Sequence, residues 1–251
     1  MPANLLDLET PCLLLDEQRL RANVARMKAH LAPLGVAFRP HLKTAKSLDV
    51  ARIAMISATG PATVSTLREA EYFAAGGVRD MIYAVGIAPA KLARVSAIRA
   101  TGADLAVILD SLEQADAVAA HAARTGEAIP ALIEVDADGH RSGVAPTDAA
   151  TLVAIGKRLV AGGATLRGVL LHAGDSYALN DPAAIADCGR SGTHCRRDCG
   201  ERLAQRRSAL SRRQRRRDTD RALCARPDRH YRGARRRLHV RRSLSGRRQL
   251  G

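Results

Sequence analysis

The stretch DLAVILDSLEQADAVAAHAARTGEAIPALIEVD, residues 104–136, holds the reading on which the fold turns. Asp104 to Leu109 is a short, almost continuous apolar run, the pattern of a strand buried on both faces. Ser111 stands where an N-cap belongs, apolar residues then recur three and four positions apart, and Gly126 stops the pattern after Thr125. Ala131 to Asp136 is a second run of the first kind. A strand, a helix and a strand joined by short loops make a parallel βαβ unit.

The same alternation extends in both directions. Further strands are expected at CLLLD (12–16), VAFRP (36–40), ATVST (62–66), MIYAV (81–85) and LRGVLLH (166–172). Helices are expected at 17–32, 67–75, 89–101, 111–125 and 147–161, each with apolar positions at helical spacing. So many consecutive units make either a doubly wound sheet or an incomplete (β/α) barrel. No G-x-G-x-x-G follows any run, which argues against a dinucleotide sheet. The polar residues Lys43, Ser65, Asp136, Arg141, His172 and Asp175 gather where runs end, as the chemistry of barrel enzymes does. The expected fold is therefore α/β, an incomplete (β/α) TIM-type barrel.

Charge divides the chain in two. The net charge is +15 over 251 residues, yet residues 188–251 hold 22 Arg, no Lys and 5 acidic residues, while residues 1–187 hold 18 basic and 20 acidic ones. The expected organisation is a barrel over 1–187 and a disordered Arg-rich tail over 188–251. The near-neutral first part carries no electrostatic footprint for nucleic acid, so small-molecule partners are expected. It holds one cysteine, Cys12, which excludes a disulfide framework there and fits a reducing, cytoplasmic setting. The opening residues MPANLLDLETP have neither a basic nor an apolar region, so no signal segment is expected, and no apolar run reaches membrane-spanning length.

Three segments carry candidate chemistry. Arg39, His41 and Lys43 alternate and, in extended backbone, would point to one side with Lys46 close behind. Crowded cations prepare a lysine for Schiff-base formation, although the same residues also suit a solvated basic loop. IEVDADGHRSGV (133–144) puts Asp136, His140 and Arg141 after a buried strand, either as a site for an anion or as a surface turn. His172 leaves its strand onto the loop carrying Asp175 and Tyr177, where a histidine is commonly structural.

Together the strings TPCLLLDEQRLRANV, RPHLKTAKS, STLREAEYFAAGG, IEVDADGHRSGV and RGVLLHAGDSY, in that order and spacing, resemble the D-threonine aldolase and D-serine dehydratase-like family. These are fold-type III pyridoxal-phosphate enzymes, relatives of the alanine racemase N-terminal domain. The resemblance covers about residues 9 to 180. It implies that Lys43 binds pyridoxal phosphate covalently, with Arg141 near the cofactor's phenolic oxygen, His172 against its ring and Tyr177 close by. In relatives the last loop is often written G-H-S-Y. Here it reads GDSY, so Asp175 stands in place of that histidine and no role carries over to it.

The implied activity is a lyase on β-hydroxy D-amino acids, by aldol cleavage or dehydration. A racemase of the same fold and a non-catalytic pyridoxal-phosphate-binding protein are the alternatives. Full-length relatives often use a divalent metal held by a second domain and can form homodimers. No metal is expected in this chain. The tail offers one reading from another class, a nucleic-acid-binding arm, but it has a single aromatic residue, Tyr231, for stacking, and no specific nucleic-acid partner is expected. Phosphate binding would accept Lys as readily as Arg, whereas GC-rich DNA read out of frame yields Arg without Lys. Rereading GC-leaning codons one nucleotide downstream permits a strand-patterned peptide, so a frameshift near residues 187–190 is expected. On that reading the chain lacks the family's phosphate-binding loop and is inactive.

Overall fold

Five strands, β1 (Ala62–Val64), β2 (Asp80–Gly86), β3 (Asp104–Leu109), β4 (Pro130–Val135) and β5 (Thr165–Leu171), form one sheet in the computed structural model, which describes residues 4–224, with side chains through 205. They pair in parallel, in the order β1-β2-β3-β4-β5, with Met81 against Leu105, Ile108 against Leu132 and Leu132 against Gly168. Strict sequence order is the mark of a barrel arc. A doubly wound sheet reverses its order at a switch point, and this one does not.

The helices are α1 (Glu17–Leu31), α2 (Leu48–Ala54), α3 (Leu67–Ala75), α4 (Leu92–Ala100), α5 (Leu112–Thr125), α6 (Ala149–Ala161) and α7 (Pro182–Cys224). The α5 helix begins as its sequence predicts. Ser111 accepts from the Gln114 N–H, Gln114 answers to the Ser111 N–H, and Gly126 closes the helix in the left-handed region at φ 73°. Thr66 and Asp148 cap α3 and α6 by accepting the Glu69 and Thr151 N–H groups. Helices α3, α4, α5 and α6 each turn an apolar stripe to the sheet: Phe73, Val95, Val118, Leu152, Ile155 and Leu159 are buried against Val64, Met81, Leu105, Val107, Ala131 and Ile133.

Two expected strands are absent. CLLLD is irregular, with Leu13 98% exposed, because no neighbouring strand among the described residues supplies hydrogen bonds for it. VAFRP is also irregular, though the chain just beyond it runs beside β1: the Thr63 N–H donates to the Pro40 carbonyl and Leu42 N–H to the Thr63 carbonyl, both at 2.9 Å. The five other expected strands are present.

The expected boundary at residue 187 falls inside a helix. α7 is 43 residues long and crosses it, so residues 188–224 are helical rather than irregular. Its Arg, Ala, Leu and Gln residues are good helix formers, and Cys199 and Leu203 are buried, with Leu203 lying against Gly156 of α6, which the Leu166 side chain of β5 also flanks. The chain divides into a first unit, Met1–Ala209, containing the sheet, and a second, Leu210–Gly251, whose described part is the end of α7. The rest of the expected tail, 225–251 with Tyr231, lies outside the described residues.

A candidate active site at the carboxyl ends of the strands

At the first corner, beside β1, His41 bridges Thr63 and the chain then turns through residues 42–45, with Lys43 in the turn. The Lys43 N–H donates to His41 Nδ1 at 3.4 Å, which leaves Nε2–H to donate to Ser65 Oγ, also at 3.4 Å. Burial, then the Lys43 charge, hold His41 below the ordinary histidine value, with Glu69 opposing and the His172 charge adding. Lys46, in the left-handed region at φ 47°, lies 3.5 Å from the buried Glu69 carboxylate, which also accepts the Ser65 N–H at 2.8 Å. Lys46 is thus paired, whereas Lys43 forms no ion pair among the described residues.

Arg39 does not join this group, contrary to the expectation that it shares a side with His41 and Lys43. Its guanidinium makes a two-pronged bond to the Asp80 carboxylate, at 2.8 and 2.9 Å, at the opposite end of the sheet. The extended backbone ends at the turn, so side-chain alternation does not carry through to Lys43.

The second corner follows β4. Asp136 is buried, and its carboxylate accepts the N–H groups of Asp138, Gly139 and Arg141 at 3.0–3.1 Å. It folds the loop and is not free for proton transfer. The Gly143 N–H donates to Asp110 at 2.9 Å, and Val144 returns to the strand through Glu134 and Asp136. Gly143 has φ 130°, and a Cβ there would stand 2.5 Å from the Asp136 nitrogen, so only glycine lets the loop close on the strand.

The third corner follows β5. His172 leads into a short 3-10 helix, Gly174–Ala178, and the Tyr177 ring lies 5.8 Å from the His172 ring. Burial first, then Arg141 and Lys43, depress the His172 value, opposed by Asp138, so its surroundings favour the neutral imidazole. A Cβ on Gly174 would lie 3.6 Å from Arg141 Cδ and 3.7 Å from His172 Cδ2. The structure therefore brings Lys43, Arg141 and His172, read from separate segments, to one mouth, with Tyr177 at its exposed edge.

Three carboxylates at this mouth were not singled out from the sequence. Glu134, on β4, is pushed up to about 7 by burial and by Asp110, with Arg141 opposing and Asp136 adding. A glutamate inside the apolar run ALIEV was the available signal. Asp110 and Asp138 resembled ordinary turn residues, and their partners lie 33 and 36 positions away. His140 faces Asp175 at 3.3 Å.

Among the described residues no group of three or more His, Cys, Asp or Glu side chains is arranged to hold a metal ion, and no helix is long and apolar enough to cross a membrane.

The model of the alanine racemase N-terminal domain matches residues 15–209, past the expected boundary at 187. The D-threo-3-hydroxyaspartate dehydratase of Delftia sp. (strain HT23) is 46% identical over 185 residues, which is 74% of this chain and 49% of that protein. A 3-hydroxy-D-aspartate aldolase of Paracoccus denitrificans is 30% identical over 200 residues, 78% of this chain and 50% of that protein. The solved structure of the Delftia dehydratase superposes with a TM-score of 0.77 at 42% identity, over 80% of this chain and 53% of that chain. The chain thus spans about half the length of the relatives it matches.

Proposed function

This chain belongs to the alanine racemase N-terminal domain family, and from that membership we propose that its mouth is the pyridoxal-phosphate site of a lyase for β-hydroxy D-amino acids. The observation that carries the reading is the meeting of three cationic or basic side chains, Lys43, Arg141 and His172, at the carboxyl ends of parallel strands. The donor set fits the cofactor. Lys43 offers an amine with no carboxylate partner among the described residues, Arg141 a guanidinium for an anionic oxygen, and His172 a neutral ring. Pyridoxal phosphate supplies an electron sink for carbanionic charge at Cα.

The protein's own contribution is to hold and orient. Lys43 would hold the cofactor through its ε-amine. Arg141, in the loop that Gly143 closes, would hold the phenolic oxygen, and His172, with the Tyr177 ring 5.8 Å from its own, would lie beside the pyridine ring. The named activities of the relatives, dehydration and aldol cleavage of 3-hydroxyaspartate, support a substrate with a β-hydroxyl, drawn from D-threonine, D-serine or D-3-hydroxyaspartate. A homodimer and a divalent metal belong to the same reading, for a protein of the relatives' length.

The test is spectroscopic and then chemical. Pyridoxal phosphate added to the frame-restored protein should give the visible absorbance of a lysine-bound cofactor, which Lys43→Ala removes and Lys46→Ala retains. Each candidate D-amino acid then yields either an aldehyde with glycine or a keto acid with ammonia. An unchanged band in Lys43→Ala would defeat the assignment. The out-of-frame origin of the Arg-rich segment belongs to this reading too, supported by its 22 Arg and absence of Lys. Sequencing the gene across codons 180–195 tests it, and the frame-restored protein is the better vehicle for the turnover assay.

A further inference from the structure

We infer that Asp138 is a positioning residue that caps the loop of His172 and Tyr177 from outside, and so sets the two rings against Lys43 and Arg141. The 3-10 helix Gly174–Ala178 begins at Ala173, whose side chain has no atom able to accept a hydrogen bond, and no cap bond forms there. A helix end leaves its first N–H groups without partners. Two of them here, Gly174 N–H and Asp175 N–H, donate to one oxygen of Asp138, the second at 3.1 Å. The cap arrives from 36 residues away, out of the neighbouring loop.

Asp138 is itself held. Its N–H donates to Asp136 Oδ1 at 3.1 Å, and Asp136 is anchored by its burial and by the Arg141 N–H. An unbroken chain of hydrogen bonds therefore runs from the end of β4 through Asp136 and Asp138 to Gly174 and Asp175. Tyr177, in the same short helix, lies beside His172. Around the place a Cβ on the capped residue Gly174 would take, Asp138 Oδ2 lies at 3.3 Å, Arg141 Cδ at 3.6 Å and His172 Cδ2 at 3.7 Å, so the three side chains converge on this glycine. The Asp138 charge reaches His172 as well, opposing the depression caused by Arg141 and Lys43. Asp138 thus couples two loops that approach the mouth from different strands. The His140–Asp175 pair lies across the same two loops, but both side chains are more than half exposed, so it is screened and secondary.

The inference rests on the mouth being the functional site, yet its test needs no cofactor. In the full chain, amide exchange at Gly174 and Asp175 is measured in Asp138→Ala, with the ring-to-ring nuclear Overhauser contact between His172 and Tyr177 as second readout. Protection at both amides should fall about tenfold, as expected for roughly 1.4 kcal/mol of lost local stability, and the ring contact should disappear while exchange in β3 stays unchanged. Asp138→Asn keeps an acceptor but no charge. It should retain the ring contact, weaken protection less and shift the His172 titration further down. Unchanged protection at Gly174 and Asp175 in Asp138→Ala would overturn the inference, as would an unmoved His172 titration in Asp138→Asn if the alanine variant fails to fold. Neither result bears on whether Lys43 binds the cofactor, which the absorbance of the frame-restored protein decides separately.

Discussion

Asp104 starts β3 and Asp136 ends the β4 segment, and the two aspartates meet different partners. At the amino end Asp104 accepts two bonds from Arg167 at 2.7 Å and one from Arg99 at 3.2 Å, and Arg99 also reaches Glu127 at 2.6 Å. Asp80 and Arg39 pair beside them. Charge there is matched by charge. At the carboxyl end, Asp110, Asp136 and Asp138 accept backbone N–H groups instead, and among the described residues Lys43 and Arg141 have no ion-pair partner. One end of the sheet satisfies its charges internally, while the other shapes loops with carboxylates and leaves cations available for an anionic ligand.

This contrast is broken most forcefully at Lys43. In the frame-restored protein Lys43→Ala should lower lyase turnover by at least about 10³-fold while leaving the midpoint of urea unfolding unchanged, as followed by circular dichroism. A large loss of stability would mean that Lys43 is structural and that the two ends are alike. The opposite substitution, Asp104→Ala, should destabilise the fold by about 1–2 kcal/mol, since it strips two arginines of a partly exposed partner, and should keep the cofactor absorbance.

Glu134 sharpens the comparison through pH. Its carboxyl is raised from the ordinary range to about 7, so the folded state binds a proton that the unfolded state has released between those values. Stability from this group is therefore greatest below the unfolded value and falls as pH rises toward 7. Glu134→Gln should gain about 1–2 kcal/mol at pH 8, discounted for partial exposure, and nothing at pH 4, as measured by urea unfolding at both values. The smallest effect is at His172. In Arg141→Gln its ring should titrate nearer the ordinary histidine value, as seen by proton NMR, because one of the charges that depress it is gone.

The five central strands were legible because burial on both faces selects continuous apolar runs, as in DLAVIL. CLLLD has the same composition and is not a strand, because a strand also needs a hydrogen-bonding neighbour and composition does not say whether one is present. Lys43, Arg141 and His172 could be found from their positions after strand runs. Arg39 misled because its partner, Asp80, is 41 residues away, and Asp138 was overlooked for the same kind of reason. Periodicity reports which face a residue occupies, whereas these pairings are fixed by the distance between strand ends in three dimensions. The helix across residue 187 was missed because charge was read as disorder, although arginine is a good helix former.

Gly143 has a further consequence for how the sequence can change. It holds no ligand group, and its loop closes against the Val135–Asp136 backbone with no room for a Cβ. In a saturation library its column should be close to blank, while neighbouring His140, more than half exposed, tolerates many letters. The alphabet at Gly143 is reduced to a single residue by the space left between two backbone segments, so the part of the mouth that permits least variation takes no part in its chemistry.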